Sequence, residues 1–254
     1  MTALVIGTYQ LAWRAVRETI RQPGVEVGNL FIPLFFFFVT VGAISNIAAP
    51  AFGIENYEAF QLPVAITQGV AGAAAISGVA IVKDIESGYF DKLLLTPMPR
   101  LAIVLGRLIA DGIRCMAFTS IIVAVLSVFT AGMAAGPLGY VVVIALAGLF
   151  GVAYSGIGVT IGLRTGNAQA AQAGFLIFFP LLFLSPAFAP KEFFDPWMEF
   201  LASINPVTYL LEGMRTLALD GWEWDNLAGA LASVFGLGVV TAGLALWALR
   251  TRTA

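Results

Sequence analysis

The stretch GNLFIPLFFFFVTVGAISNIAA, residues 28–49, carries no charged side chain from one end to the other. A helix of about 20 apolar residues crosses the roughly 30 Å hydrocarbon core of a bilayer, so this stretch is long enough to span a membrane. In the whole chain of 254 residues, 59% are hydrophobic and 11% are charged. Soluble domains carry about 25% charged residues. We therefore expect one membrane domain that comprises residues 1–254.

Six segments of this length and hydrophobicity occur along the chain. Backbone amides need hydrogen-bond partners within the hydrocarbon core, and the segments are continuous instead of alternating with a period of two. They are therefore predicted to be helices, and the fold class to be all-α with six transmembrane helices. The predicted spans are residues 28–49, 62–82, 112–132, 140–163, 168–188 and 227–249.

The lysines and arginines predict the orientation of these spans. Six crossings place both termini on one side, and the connections on that side hold all but Lys191 and Arg215 of the 13 basic residues. Because basic connections stay in the cytoplasm, both termini of this multi-pass cell-membrane protein are predicted to be cytoplasmic. No cleaved secretion signal is expected before the first span. The cytoplasmic set comprises Arg14, Arg17, Arg21, Lys83, Lys92, Arg100, Arg107, Arg114, Arg164, Arg250 and Arg252.

Residues 8–22, before the first span, predict an interfacial helix. Trp13, Val16 and Ile20 recur near helical spacing, the arginines can extend to the headgroups, and Pro23 ends the pattern. The alternative is a segment whose basic residues only anchor the chain in the cytoplasm.

The connection between the second and third spans, VKDIESGYFDKLLLTPMPR (residues 82–100), concentrates charge in a chain that is otherwise short of it. Ile85, Phe90 and Leu94 can form the apolar side of a short helix that ends before Pro97. Such a helix at a membrane surface can dock into a groove on another protein. The alternative is a solvated hairpin between two spans.

The stretch ESGYFDKLLLTPMPRLAIVLGRLIADGIR (residues 86–114) is similar to the signature of ABC-2 type transporter permeases, in particular the daunorubicin-resistance-like drug exporters. That family has an acidic-Gly-x-x-acidic-x-Leu run, then Thr-Pro, then Gly-Arg-Leu; the matching positions here are Glu86, Gly88, Asp91, Leu93, Thr96, Pro97, Gly106 and Arg107. The resemblance implies that residues 83–100 are a coupling segment toward an ATP-binding subunit, and that the fold is that of type V exporters. The coupling residues it implies are Asp84, Glu86, Gly88, Phe90, Asp91, Leu94, Pro97 and Arg100.

A second match is LSPAFAPKEFFDPWMEFLASINPVTYLLEGMR (residues 184–215), which resembles the family's loop between the last two spans. Residues 189–226 are too apolar for a free loop and predict two short helices, broken at Asn205 and Pro206, that dip into the outer leaflet. The resemblance implies re-entrant helices that close an outer gate; the alternative is an interfacial hairpin without a gating role. The implied gate residues are Pro190, Trp197, Asn205, Pro206, Glu212 and Arg215.

Two further groups of residues are functional candidates. Arg107, Asp111 and Arg114 are spaced to share one helix face at the cytoplasmic mouth of the third span, where they are either functional or a charge-compensated helix start. Side-chain amides and aromatic rings in the spans are candidates for a substrate pathway, because an unpaired amide in hydrocarbon is energetically unfavourable. The alternatives are that the amides hydrogen-bond between helices and that the rings face lipid. The pathway candidates are Phe38, Asn46, Gln68, Gln169, Gln172 and Phe179.

No catalytic, metal or cofactor site is predicted in this chain. It has no histidine, and none of its lysines follows a glycine as a phosphate-binding loop requires. The resemblance implies that ATP and Mg are bound by partner chains: two copies of an ATP-binding ABC subunit assemble with this permease and a second permease, either another copy or a paralogue. Membrane lipid is the other expected partner, and no nucleic acid is expected.

The resulting hypothesis is the permease subunit of an ATP-driven exporter for an amphiphilic drug-like or lipid-like compound. A lipid-linked glycan is an alternative cargo. A proton-driven secondary transporter is disfavoured because the central parts of the six spans carry no Asp, Glu, Lys or Arg. An intramembrane hydrolase is disfavoured because no nucleophile–base pair or zinc motif is present.

Overall fold

A computed structural model describes residues 2–21, 23–130 and 132–252. Gln22, at the end of the predicted interfacial segment, and Ala131, in the predicted span 112–132, lie outside the described residues. All regular secondary structure within the described ranges is helical, which confirms the all-α fold class. The α-helices are α1 (Thr2–Ile20), α2 (Pro23–Phe52), α3 (Tyr57–Glu86), α4 (Tyr89–Leu94), α5 (Arg100–Leu126), α6 (Gly136–Thr165), α7 (Ala168–Gln172), α8 (Phe178–Phe183), α9 (Pro196–Ile204), α10 (Pro206–Leu219) and α11 (Trp224–Arg252).

Five helices in this part of the chain are long and apolar enough to cross a membrane: α2, α3, α5, α6 and α11. The fifth predicted span, residues 168–188, is not one continuous helix. It consists of α7, a 3₁₀ helix over Ala173–Ile177, and α8. Pro180 gives a physical reason, because it has no N–H to donate to the carbonyl of Leu176 and its ring crowds that carbonyl. A six-crossing topology stays a prediction.

Two of the crossing helices extend well beyond their predicted spans. α3 begins at Tyr57 and ends at Glu86, whereas its predicted span was 62–82. α5 begins at Arg100, although the predicted span began only at Gly112. In both cases the helix continues past the apolar stretch, so a prediction based on hydrophobicity truncated it.

α3 lies at the centre of the bundle and packs against α2, α5, α6 and α10. Its contact with α6 is backbone to backbone, since a Cβ atom on Gly162 would lie 2.6 Å from the carbonyl oxygen of Gly78. Small residues allow such approach in a membrane, where no hydrophobic force drives helices together. These glycines therefore allow close packing of α3 and α6.

α1 packs against α5 in a similar way. A Cβ atom on Gly106 would lie 2.8 Å from the Cβ of Leu11 and 3.0 Å from the carbonyl oxygen of Thr8. The opposite face of α1 exposes large apolar side chains, including Tyr9 and Trp13. This distribution supports the interfacial position predicted for the helix.

We expect Gly106→Val to push α1 away from α5, because a branched side chain has no room at the crossing. Overpacking of this kind costs about 1–3 kcal/mol, so the apparent Tm of the purified protein in detergent should fall by several degrees. Gly42→Val is the matched control, because nothing lies within 4 Å of a Cβ atom at Gly42 in α2. Equal Tm losses for the two variants would contradict the close approach of α1.

Candidate functional site

The predicted coupling segment folds as a separate short helix after a sharp turn. Gly88 has φ of +69°, and its N–H donates to the carbonyl of Ile85 at 3.0 Å. Residues with a Cβ atom are destabilised by roughly 1–2 kcal/mol in this left-handed conformation, so glycine is favoured at the turn. The turn ends α3 and sets the direction of α4.

One face of α4 is anchored in the protein. Phe90 is only 2% exposed and belongs to a buried cluster that includes Val82 of α3 and Ile103 of α5. Leu93 and Leu94 pack against the same cluster. The apolar side predicted for this segment is therefore confirmed.

The other face of the segment is open to solvent. Glu86 and Asp91, the two acidic residues of the family signature, are exposed, and so are Pro97 and Arg100. Leu95 is 87% exposed. A charged surface with one protruding leucine is thus available for a partner.

Arg14 of α1 binds the end of α3 and the start of α4 at once. Its guanidinium lies 2.7 Å from Asp84 Oδ1 and 3.1 Å from Glu18 Oε1. It also stacks on the ring of Tyr89, 3.7 Å from the centroid. The sequence analysis selected Asp84 but missed Arg14 and Tyr89, because no local spacing connects residues 70 positions apart.

Three charged residues of α5, namely Arg107, Asp111 and Arg114, are also in contact, as their spacing predicted. Arg107 Nε lies 3.9 Å from Asp111 Oδ2, and Arg114 Nη2 lies 3.4 Å from Asp111 Oδ1. Arg107 Nε donates to Ser77 Oγ at 3.1 Å, and Arg114 donates to the carbonyl of Ala73. The cluster therefore links α5 to α3. Removing one member would leave a buried charge uncompensated, which is strongly destabilising.

A polar cavity of about 110 Å³ lies between α1, α3 and α5 and connects these two sets of charges. Glu18 and Asp84 line it on one side, and Arg107 and Arg114 on the other, together with Lys83. The cavity is polar and large enough to hold several water molecules. The coupling segment, α1 and the charged part of α5 thus meet at one cavity.

The predicted outer segment contains two helices that are separated at Asn205, as predicted. The side-chain oxygen of Asn205 accepts a hydrogen bond from the Val207 N–H at 3.0 Å and so caps α10. Its amide group donates to the carbonyl of Leu181 at 2.5 Å. Pro206 occupies the first position of α10, where its missing N–H leaves no helical bond unmade.

Arg215 of α10 binds backbone carbonyls from two other segments. Nε donates to the carbonyl of Phe60 at 3.0 Å, and Nη2 donates to that of Ala187 at 3.1 Å. The guanidinium also stacks on the Phe60 ring at 3.6 Å. Tyr57 Oη donates to the carbonyl of Phe188 at 3.1 Å. Burial lowers the pKa of Arg215 to about 9, which leaves the side chain charged at neutral pH.

Of the remaining gate candidates, Glu212 forms an ion pair, Pro190 lies beside its lysine partner in the sequence, and Trp197 is exposed. Lys191 Nζ donates to Glu212 Oε1 at 2.8 Å, and this hydrogen bond raises the pKa of Lys191. Pro190 directly precedes that lysine. Trp197 is 61% exposed and stands apart on α9. The sequence analysis missed Tyr57, whose position five residues before the predicted second span gave no signal.

The pathway candidates do not converge within this chain. Gln68 and Phe179 line one small cavity of about 20 Å³ between α2, α3 and α8. Gln61, which the sequence analysis missed, lines the same cavity and is 2% exposed. The other candidates lie elsewhere: Phe38 and Asn46 are exposed on α2, and Gln169 and Gln172 are exposed on α7.

We expect Arg14→Glu to release α4 from α1, because it breaks the ion pair with Asp84 and the contact with Tyr89. A partly exposed pair contributes about 1 kcal/mol, so amide hydrogen exchange over residues 84–94 should accelerate roughly fivefold. Arg17→Glu is the control, because Arg17 stacks on Trp13 of its own helix. Unchanged exchange in the Arg14 variant would show that this contact does not hold α4.

We expect Arg215→Met to destabilise the outer segment by at least about 2 kcal/mol, because two buried carbonyls lose their donor. Arg215→Lys should recover only part of the lost stability, since an ammonium group does not reproduce the planar arrangement of N–H donors in a guanidinium. Lys191→Met should cost at most about 1 kcal/mol, as a half-exposed pair does. Thermal unfolding in detergent measures all three, and an equal loss for Lys191→Met and Arg215→Met would refute the assignment.

Comparison with known proteins identifies the family of the chain. Residues 7–219, from α1 to the end of α10, match the family described as ABC-2 type transporter. The chain is 25% identical over 253 residues to the daunorubicin resistance ABC transporter permease protein DrrB1 of Streptomyces coeruleorubidus, covering 98% of this chain and 88% of that protein.

Two further relatives come from other organisms. The putative transport permease ycf38 of Porphyra purpurea is 26% identical over 220 residues, 85% of this chain and 74% of that protein. The probable doxorubicin resistance ABC transporter permease protein DrrC of Mycobacterium tuberculosis is 20% identical over 238 residues, 94% of this chain and 84% of that protein. The resemblance to the drug-exporter branch is confirmed, and this multi-pass membrane protein belongs to the ABC-2 type transporter family.

Proposed function

We propose that this chain is the transmembrane subunit of an ATP-driven exporter. Separate ATP-binding subunits bind ATP and Mg, and this non-catalytic chain carries the passage for an amphiphilic drug-like or lipid-like compound. The relatives named for daunorubicin and doxorubicin resistance support this class of cargo. Family membership supports the ATP-binding partners. The observation that carries the proposal is the construction of α4.

α4 is suited to transmit movement because one face is anchored and the other is free. Phe90 anchors the helix in the protein, and Arg14 ties its first residue to α1. Glu86 and Asp91 remain exposed for an ATP-binding subunit. A displacement of α4 by that subunit would therefore move α1 and α3 together, as a rigid-body shift.

The distribution of basic residues supports an orientation with both termini in the cytoplasm. Arg100 begins α5, Arg164 lies in the last turn of α6, and Arg250 lies in the last turn of α11. These helix ends share their side of the bundle with α1 and α4, so that side is proposed to face the cytoplasm of a cell membrane. The outer segment then lies on the opposite side, where α9 and α10 form the proposed gate.

The composition of the cavity between α2, α3 and α8, which at about 20 Å³ is too small to hold a cargo in this chain alone, favours an amphiphilic cargo over a glycan. Aromatic side chains such as Phe179 form its walls, and Gln61 and Gln68 supply isolated amides. Apolar walls with a few polar groups are typical of sites for amphiphilic small molecules. The exposed phenylalanines of α2, among them Phe31 and Phe35, are available to a second permease copy or paralogue that completes the passage.

A proton-driven transporter is less well supported. Asp111 is the acidic residue buried within α5, and it is held between Arg107 and Arg114. The carboxylate is thus paired with two arginines that themselves donate to α3, an arrangement suited to holding the two helices together.

The charged face of α4 provides the test. In the complex with its ATP-binding subunit, Glu86→Lys combined with Asp91→Lys should leave the protein folded while export and cargo-stimulated ATPase activity fall at least tenfold, because the acidic contacts are reversed. Glu192→Lys combined with Asp195→Lys is the matched control, on exposed acids of the outer segment. Unchanged activity in the α4 variant would refute coupling through this face. Transport by the isolated chain in liposomes driven by a proton gradient would refute the ATP-driven proposal altogether.

A further inference from the structure

α5, α6 and α11 enclose an apolar groove on the surface of the bundle. Its volume is about 630 Å³, within the size range of small-molecule sites. Every residue that lines it is apolar, and Phe235 of α11 is 74% exposed on its wall. The groove is lined by residues that include Leu105 and Ile109 of α5, Leu149 and Val152 of α6, and Phe235 and Val239 of α11.

The groove exists because α5 and α11 both pack on α6 at close contacts. A Cβ atom on Gly112 of α5 would lie 2.5 Å from a methyl group of Val152, so that crossing is tight. On the other side, Thr241 Oγ1 donates to the carbonyl of Ala153 at 2.6 Å. Gly238 of α11 lines the groove without a side chain to fill it. α6 therefore forms the floor, and the other two helices form the walls.

The cytoplasmic half of the groove lies within the depth of one leaflet. Its lining on α11 extends from Leu231 to Ala242, which at 1.5 Å per residue is about 17 Å. Half of a roughly 30 Å hydrocarbon core is about 15 Å. Ala242 lies eight residues before Arg250, or about 12 Å along the helix axis. A lipid with its phosphate at the arginine-bearing helix ends would therefore place the lower part of its acyl chains in the cytoplasmic half of the groove, from Ala242 toward Gly238.

The ends of these three helices form a basic rim. Arg164 Nη1 donates to Thr251 Oγ1 at 3.1 Å, and Arg252 Nη1 donates to the carbonyl of Leu163 at 2.7 Å. Arg164 also stacks on Trp247 at 4.5 Å, and tryptophan favours the headgroup level. Among the described residues, neither Arg164 nor Arg252 forms an ion pair. No Asp or Glu lies in the last turn of α6, in the described last turn of α11, or in the first turn of α5, which begins at Arg100.

From this juxtaposition we infer a binding site for an anionic phospholipid of the cytoplasmic leaflet, with acyl chains in the groove and its phosphate against Arg164 and Arg252. The inference rests on the orientation given under the proposed function. A second copy of the chain is a poorer occupant, because a twofold axis normal to the membrane would bring the two arginine rims together. An anionic lipid satisfies the apolar groove and the basic rim at once.

Native mass spectrometry of the purified full-length chain tests the site, using equal amounts of phosphatidylglycerol and phosphatidylcholine with the same acyl chains. We expect phosphatidylglycerol to be bound in excess. Arg164→Gln and Arg252→Gln should each lower the ratio of bound phosphatidylglycerol to phosphatidylcholine about fivefold, the effect of one basic residue near a charged membrane surface. Arg17→Gln on α1 is the matched control and should leave the ratio unchanged.

A second pair of variants tests the groove itself. Gly238→Leu places a side chain in the groove and should reduce the amount of both bound lipids, whereas Gly236→Leu lies on the same helix with nothing within 4 Å of its Cβ position. A ratio near one in the unmodified chain, a ratio insensitive to both arginine variants, or undiminished lipid in Gly238→Leu would each overturn the inference. So would a change in dimerisation without a change in bound lipid. The readout needs neither ATP hydrolysis nor cargo, so its failure is distinct from loss of coupling through Glu86 and Asp91.

Discussion

A backbone carbonyl that leaves a helix inside a membrane has no water to bind, and most of this architecture answers that constraint. The long helices satisfy their own amides. The irregular chain around residues 184–190 cannot, and it relies on side-chain donors from elsewhere in the fold. Arg215 donates hydrogen bonds to the carbonyl of Ala187 and to a carbonyl in the first turn of α3, and Tyr57 donates to the carbonyl of Phe188. Without these donors, the carbonyls of Ala187 and Phe188 would lose their side-chain partners.

The same bundle brings its charges together at the opposite end. The glycine contacts between α3 and α6 and between α1 and α5 draw the backbones close enough for Arg14 to reach Asp84 and for Arg107 to reach Ser77. α3 supplies Asp84 and Ser77 to the two side-chain contacts and also carries the carbonyl of Phe60 at its other end. One helix therefore connects the α4 region to the outer segment. This mechanical continuity is what an ATP-driven permease requires.

Features that depend on local periodicity were predictable from the sequence. The helical spacing of Arg107, Asp111 and Arg114 predicted their contact, and Asn205 followed by Pro206 predicted a helix break. Features that depend on contacts between distant parts of the chain were not. The Arg14–Asp84 pair and the carbonyl partners of Arg215 join residues far apart in the sequence, and no pattern within one segment specifies them. The helix interruption within residues 168–188 was missed because the prediction used the hydrophobicity of the segment and not the helix-breaking effect of Pro180.

The turn at Gly88 has a consequence for how such proteins diversify. α4 is a single short helix set between a left-handed glycine and a proline-containing turn, and only its Tyr89 and Phe90 side engages the bundle tightly. Substitutions at its exposed positions leave the interior packing of the membrane helices untouched. Under the proposed function, the choice of ATP-binding partner and the stability of the membrane domain can therefore evolve as separate traits, and an exporter can acquire a new ATP-binding partner without rebuilding its passage.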